Sequence, residues 1–340
     1  MRTLLIGDLH FGIKSNSLTW LDFQKAFFKN QIFKTLEEKQ INRCVFLGDI
    51  YDIRYSVNQQ VGIDLKNIFR YMLDTYKDIE FIIVAGNHDY YSPIEEYRKY
   101  NMYELLFGYE FLEKHANLKI VTDDPLYTDD GSLFLPWYYT DNPKHIDDLL
   151  YAYDFSNDVK AIFCHTDLTC WPGPRIASFK GCPIFSGHIH YIYVDEITHL
   201  YNIGAALPLT FDDVNQQRYL YILEDFKIVE KIANNTTPRF IRIYNEDIFS
   251  ITDNMFDNSY VQLCISTNNM NKARYVEQIK YIKNKYVSST IRVHIIDDTT
   301  NIETLAVNGF NTDIKKYIDS NIPDHLHSKY EMIRDRLNEK

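Results

Sequence analysis

Carboxylates, imidazoles and one amide recur in this chain directly after short apolar runs. TLLI at 3–6 leads into GDLH, which carries Asp8 and His10. RCVFL at 43–47 leads into GDIYD, with Asp49 and Asp52. The run at 80–84 ends in GNHD, with Asn87, His88 and Asp89; KAIF at 160–163 ends in CHTD, with His165. The short run at 183–185 ends in SGHIH, with His188 and His190. Taken singly, each has a plain explanation. Gly-Asp after a strand is usually a turn, and a lone His more often fills a core or surface position. GHIH is stronger, because two residues two apart point the same way on an extended chain. GNHD is stronger again, since three donor types crowd a tight backbone. Imidazole with carboxylate and amide oxygen, and no thiolate, suits Mn, Fe or Zn. The donors outnumber what one ion takes, so two ions sharing a bridging carboxylate are expected. A pair about 3.5–4 Å apart would hold a phosphate, activate a water and stabilise an in-line displacement.

The positioning elements are legible in the hydrophobic pattern. Strands are expected at 3–6, 43–47, 80–84, 118–121, 133–135, 160–163, 183–185, 191–197, 200–203, 218–223 and 226–231. Helices are expected at 20–39, 61–77, 93–107 and near 143–151. Strand and helix alternate early and strands dominate later, which predicts an α/β sheet sandwich flanked by helices. Donors at the carboxyl ends of strands are where open α/β sheets build their sites. ANNTTPRF at 233–240 reads as a linker. Beyond it, strands at 239–244, 260–265 and 291–296 with a helix at 270–286 form a small α+β module, and terminal helices follow at 311–319 and 325–338.

The chain of 340 residues carries a net charge of −11, with 45% hydrophobic and 24% charged residues. That is a globular composition without the basic stripe by which proteins grip nucleic acid unaided. Two divalent ions over two carboxylates would leave a net positive centre, which lets an acidic chain attract a phosphodiester. The five Cys are scattered and form no CxxC, so free thiols in a reducing compartment are expected. The apolar run at the N-terminus is too short for a signal peptide and nothing approaches a membrane span, so a cytoplasmic location is expected (host cytoplasm if the source is viral).

The order DxH, GD, GNHD, single His, GHxH resembles that of the calcineurin-like metallophosphoesterases. Within that superfamily the chain looks most like the SbcD-type nuclease subunit of double-strand-break repair, and closest to the recombination endonuclease subunits of tailed phages. LLIGDLHFG, FLGDIYDIR, IVAGNHD, LPW at 135–137, FSGHIH and YNIG at 201–204 carry the likeness over about residues 1–235. It implies a metallophosphoesterase β-sandwich over 1–235, a capping domain over 239–300, and C-terminal helices over 311–338 docking on an SbcC-like coiled-coil ATPase. It implies that Asp8, His10 and His190 hold one metal, Asn87, His165 and His188 the other, and that Asp49 bridges them; the metal would be Mn²⁺. His88 would steady the transition state or protonate the leaving oxygen, and Asp89 would orient His88. DNA would be the substrate, cut as exonuclease and endonuclease. A homodimer contact would use the helices at 61–77 and 93–107, whose Leu65, Ile68, Phe69, Met72, Tyr97 and Leu105 core packing explains as well. Cys164 stands where the family carries Gly, Asp52 where many members carry His, and Ala205-Ala206 where Pro commonly follows. Two rivals stand beside this reading. One is a small-nucleotide phosphodiesterase or phosphatase; protein phosphatases, however, carry Arg-Gly after GDxxD and GNHE, against GDIYDIRY and GNHD here. The other is a non-catalytic scaffold for DNA ends.

Overall fold

A computed structural model describes residues 1–92, 100–137, 159–166, 181–214, 216–256, 259–266, 273–286 and 290–296. The expected helix near 143–151, the first part of that at 93–107, the terminal helices at 311–319 and 325–338, Tyr97 and Cys170 lie outside them.

Strands β1 (Arg2–Ile6), β2 (Arg43–Phe46), β3 (Glu80–Val84) and β4 (Leu118–Val121) run parallel in one sheet. A second sheet contains β5 (Leu126–Tyr127), β6 (Ser132–Leu135), β7 (Ala161–His165), β8 (Ile184–Gly187), β9 (Tyr193–Asp195) and β10 (Leu200–Asn202). The antiparallel pair β11 (Tyr219–Glu224) and β12 (Lys227–Ala233) extends the first sheet beyond β1, in the order β12-β11-β1-β2-β3-β4. The second sheet runs β5-β6-β7-β8-β10-β9.

The central strands β1, β2 and β3 of the first sheet are buried on both faces. Leu4, Ile6, Cys44, Phe46, Phe81 and Ile83 pack in one core with helical residues such as Phe28, Leu65 and Phe69. Leu5, Val45, Ile82 and Val84 pack in a second core with Phe134, Phe163 and Phe185 of the other sheet. Strands covered on both sides must be apolar at every position, which is why they read as unbroken runs. In the second sheet, Phe134, Phe163, Phe185 and Tyr201 stack across neighbouring strands with centroids 5.0, 5.4 and 5.1 Å apart. Cross-strand aromatic pairs of this kind stiffen the strands that carry His165 and Gly187.

Helix α1 (Leu18–Phe27) continues through a wide turn, Phe28–Ile32, into α2 (Phe33–Glu38), so the expected helix at 20–39 is one helical run with a π-type turn inside it. Helix α3 (Gln59–Thr75) starts at Asn58, whose side chain accepts from Gln60 and Val61 N–H, a cap worth about 1 kcal/mol. Its Leu65, Phe69 and Met72 are consumed by the core and Ile68 packs against it, whereas Leu105 is exposed. The described end of the expected helix at 93–107 is α4 (Met102–Leu106), and a further helix, α5 (Gly108–Lys114), follows it.

Two compact units divide the described residues: Met1–Ile241 with Met255–Tyr260, and Arg242–Asn254 with the described residues from Val261 onward. Phe240 and Tyr260 stay with the first unit because Trp20 stacks on both, at 6.2 and 5.6 Å. β13 (Arg239–Tyr244) and β14 (Ser259–Ser266) thus begin there and run on into the second unit, where β15 (Thr290–Ile296) joins β14. That unit also holds α6 (Ala273–Lys285), which buries Tyr275 and Ile282. Among the described residues no helix is long and apolar enough to cross a membrane.

Candidate metal centre

The three loops after β1, β2 and β3 open at the same sheet edge, because those strands are parallel and in register. The first two loops stay paired beyond the strands: Leu9 and His10 N–H donate to the Asp49 carbonyl at 3.1 and 2.9 Å, and Phe11 N–H to Ile50 at 2.8 Å. The second sheet delivers His165 as the last residue of β7 and His188 just after β8. Three of these residues have left-handed backbones: His10 at φ 48°, Asp49 at 47° and His188 at 80°. Such a backbone costs roughly 1–2 kcal/mol per residue and persists only where the surroundings over-determine it.

Seven side chains meet in two groups. Asp8, His10 and His190 form the first, with ligand-type atoms all within 4.8 Å. His10 Nε2 faces His190 Nε2 at 3.0 Å, and His190 Nε2 lies 3.7 Å from Asp8 Oδ2. In the second group Asn87 Oδ1 lies 3.0 Å from His165 Nε2 and 2.9 Å from His188 Nδ1. Asp49 stands between the groups, with Oδ1 3.4 Å from His165 Nε2 and Oδ2 3.6 Å from His10 Nε2.

The extended-chain argument for GHIH is corrected by the backbone. His188 is left-handed, so the two rings part, His188 to Asn87 and His190 to His10. The expected role of Asp89 is also corrected. Its carboxylate is buried and accepts from Gly86 N–H at 2.8 Å, Tyr51 N–H at 3.2 Å and the Tyr103 hydroxyl at 2.7 Å. It therefore shapes the loop that carries His88 rather than the ring. The ring is set by Asp52, whose backbone carbonyl lies 2.5 Å from His88 Nδ1. The Asp52 carboxylate lies 3.1 Å from His10 Nδ1, so one residue orients both imidazoles. His165 is held likewise, Nδ1 donating to the Leu47 carbonyl at 2.6 Å and leaving Nε2 to face the site.

Several supports escaped the sequence reading. Gln24 on α1 is buried and its side-chain amide donates to the Leu9 and His10 carbonyls at 2.7 and 3.1 Å. Three successive carbonyls of the GHIH loop are clamped: Asn202 donates to Ile189 and Tyr191, and Arg218 to His190. Arg218 is itself buried against Asp213. A polar residue on an otherwise apolar helix stripe was the one available signal, for Gln24.

The donor set fits divalent cations. Octahedral ligands about 2.1 Å from an ion lie about 3.0 Å from one another, the spacing seen at both ring–ring and ring–amide contacts. Cys164 takes no part: its thiol turns to the Phe185 carbonyl and burial pushes it up to about 12. The buried carboxylates are split. Burial pushes Asp8 up to about 7, with the His165 imidazolium acting against it. Asp49 is held below the usual range; burial opposes this, but the charge of His165 outweighs it. Burial lowers His165 as well, and Asp49 overrides it to reach about 9. Such opposed shifts in adjoining groups mark functional sites. Asp8, His10 and His190 would hold one ion, and Asn87, His165 and His188 the other, with Asp49 shared.

The glycines of the motifs make room for these carboxylates. A Cβ on Gly187 would stand 2.4 Å from Asp8 Oδ1 and 2.5 Å from the Leu47 carbonyl. Gly187→Ala is expected to destabilise the fold by about 1–3 kcal/mol and to weaken binding at the first group, read by thermal unfolding and metal titration. A variant as stable and as metal-avid as the parent would show that the loop gives way freely.

Residues 1–191 match the family described as "Calcineurin-like phosphoesterase". No curated protein matches the chain. One solved structure, titled only as a crystal structure, is 13% identical, covers 68% of this chain and 98% of its own, and superposes with a TM-score of 0.37, too slight a likeness to bear on function. The matched region spans more than half of the chain and contains every residue of both ligand groups, and the protein belongs to the calcineurin-like phosphoesterases.

Proposed function

We propose that this phosphoesterase is a DNA exonuclease and endonuclease, the nuclease subunit of a recombination and repair complex with an SbcC-like ATPase, and that its ions are Mn²⁺. The observation that carries the hydrolytic centre is Asp49, which offers one oxygen to each ligand group. Bound there, two divalent cations supply Lewis-acid activation of a water and offset the charge of the phosphoryl group. His88 is the candidate for proton transfer to the leaving oxygen. Its ring stands edge-on to His10 at 5.0 Å, and Asp52 fixes Nδ1, which leaves Nε2 as the nitrogen available to substrate.

DNA as substrate is supported by the motif resemblance and by aromatics near the site loops. Tyr55 (70% exposed) lies 5.6 Å from Tyr91 (48%), which lies 6.5 Å from Tyr100 (55%). Exposed rings are stacking platforms for unpaired bases, each worth about 1–3 kcal/mol. A homodimer, the capping role of the second unit and docking through 311–338 belong to the same reading, and 311–338 lies outside the described residues.

The test is cleavage by the purified protein with Mn²⁺ of single-stranded and end-bearing DNA, beside a chromogenic diester. Turnover of the diester with DNA left intact favours a small-nucleotide phosphodiesterase. Protein that takes up no Mn²⁺ when it is supplied, still assembles with the ATPase and cuts neither favours a scaffold. His88→Ala is expected to lower turnover by about 10²–10⁴-fold with Mn²⁺ stoichiometry unchanged. An unaltered rate would remove His88 from this role.

A further inference from the structure

Asp8 and His190 follow strands of different sheets, yet one short segment ties their loops together. After β10 the chain passes Gly204, whose carbonyl lies so close to Gly7 that a Cβ there would overlap it. Ala205 N–H then donates to the His190 carbonyl at 3.1 Å, and Ala206 N–H to the Asp8 carbonyl at 3.0 Å. The Ala206 carbonyl accepts from the Asn234 side chain at 2.9 Å, and Asn234 N–H donates to the Arg218 carbonyl at 2.8 Å. Arg218 closes the circuit, because its guanidinium also donates to the His190 carbonyl. Arg218 is 1% exposed, and the other arm of its fork pairs with Asp213. The second Asp213 oxygen accepts from Leu209 and Thr210 N–H at 2.6 and 2.8 Å. A buried ion pair is a weak source of stability; what this one supplies is a fixed, charged donor beneath His190.

We infer that Arg218 is a positioning residue for one ion of the pair, the one held by Asp8, His10 and His190. It fixes the His190 carbonyl directly and the Asp8 loop through Asn234 and Ala206. His190 Nε2 and Asp8 Oδ2 are thereby kept 3.7 Å apart, within reach of a shared cation. The other ligand group has its own supports: the Leu47 carbonyl holds His165, and no bond of this circuit ends on Asn87, His165 or His188. Groups that orient metal ligands from behind are worth about 10–100-fold in metal affinity. This inference rests on the reading of the site as a two-ion centre and not on DNA as substrate.

The test uses the full chain titrated with Mn²⁺ and followed by electron paramagnetic resonance, which separates free ions, isolated bound ions and coupled pairs. R218M is expected to bind one Mn²⁺ as the parent does and the other about 10–100-fold more weakly. At Mn²⁺ that just fills the parent, its spectrum should be that of isolated ions and not of a coupled pair. R218K, with a point charge in place of a fork, is expected to fall between. R218M leaves Asp213 buried and unpaired, so R218M/D213N is measured beside it. That variant removes both charges, keeps an oxygen for Leu209 and Thr210 N–H, and is expected to show the same loss. Two Mn²⁺ bound with the parent's affinities would overturn the proposal. So would equal weakening of both ions, the mark of a general loosening of the fold. Parent protein that takes up no Mn²⁺ would refute the two-ion reading itself, a result separable from either.

Discussion

Asp49→Asn is expected to cut phosphodiester hydrolysis by about 10³–10⁴-fold and to leave fewer than two Mn²⁺ per chain. Asp49 is the residue that both ligand groups share, at 3.4 and 3.6 Å. Several kcal/mol of transition-state stabilisation come from paired ions, and each 1.36 kcal/mol is tenfold in rate. The same carboxylate accepts from His88 N–H at 2.8 Å, so its loss also loosens the proton-transfer candidate. Asn is the cleaner replacement than Ala: it tolerates the left-handed backbone at φ 47°, where Ala would add about 1 kcal/mol of strain. Stability of the metal-free protein should fall as well. Burial opposes the ionisation of Asp49, which is 1% exposed, but the charge of His165 holds it below the usual range, so the carboxylate stabilises the metal-free fold above its ordinary pKa. An uncharged amide loses that attraction, so activity and stability fall together. Elemental analysis, steady-state rates and thermal unfolding together decide it. Two Mn²⁺ per chain with the parent's rate would show that Asp49 bridges nothing.

Chelation is expected to lower the melting temperature of the parent protein by about 10 °C relative to saturating Mn²⁺. A ligand that binds only the folded state, present at about 1,000 times its Kd, adds about 4 kcal/mol. For a unit of this size each kcal/mol shifts the midpoint by about 2–4 °C. The structural reason is that the ligands come from both sheets: Asp8, His10, Asp49 and Asn87 follow β1, β2 and β3, whereas His165 and His188 belong to β7 and the end of β8. An ion held by both sheets ties their edges together beyond the hydrophobic layer between them. Scanning calorimetry with and without EDTA measures the shift, and coincident transitions would mean that no cation is bound at working concentrations.

Much of this was legible in the linear sequence. Strands buried on both faces must be apolar throughout, so β1, β2 and β3 stand out as runs, and the Gly-Asp, Gly-Asn and Gly-His breaks mark their ends. The glycine itself is visible in the sequence, but what requires it is a close approach between two loops: a Cβ on Gly86 would lie 2.3 Å from Asp49 Oδ1. The donor types gathered at those breaks point to divalent cations by their chemistry alone. The same local reasoning fails where a single φ angle or a distant partner decides. GHIH looks like two rings on one face until His188 turns left-handed and sends them to separate groups. Asp89 sits beside His88 in the chain, yet its partners are Gly86, Tyr51 and Tyr103.

What the amino-acid sequence determined by itself was the presence of strands, their order along the chain and the kind of chemistry waiting at their ends, because burial and ligand type are properties of single residues and their near neighbours. The tertiary structure alone decided that Asp52 orients His10 and His88, and that Gln24, Asn202 and Arg218 hold the loops. Those contacts join segments from different strands and helices, and no local periodicity encodes which of them will meet.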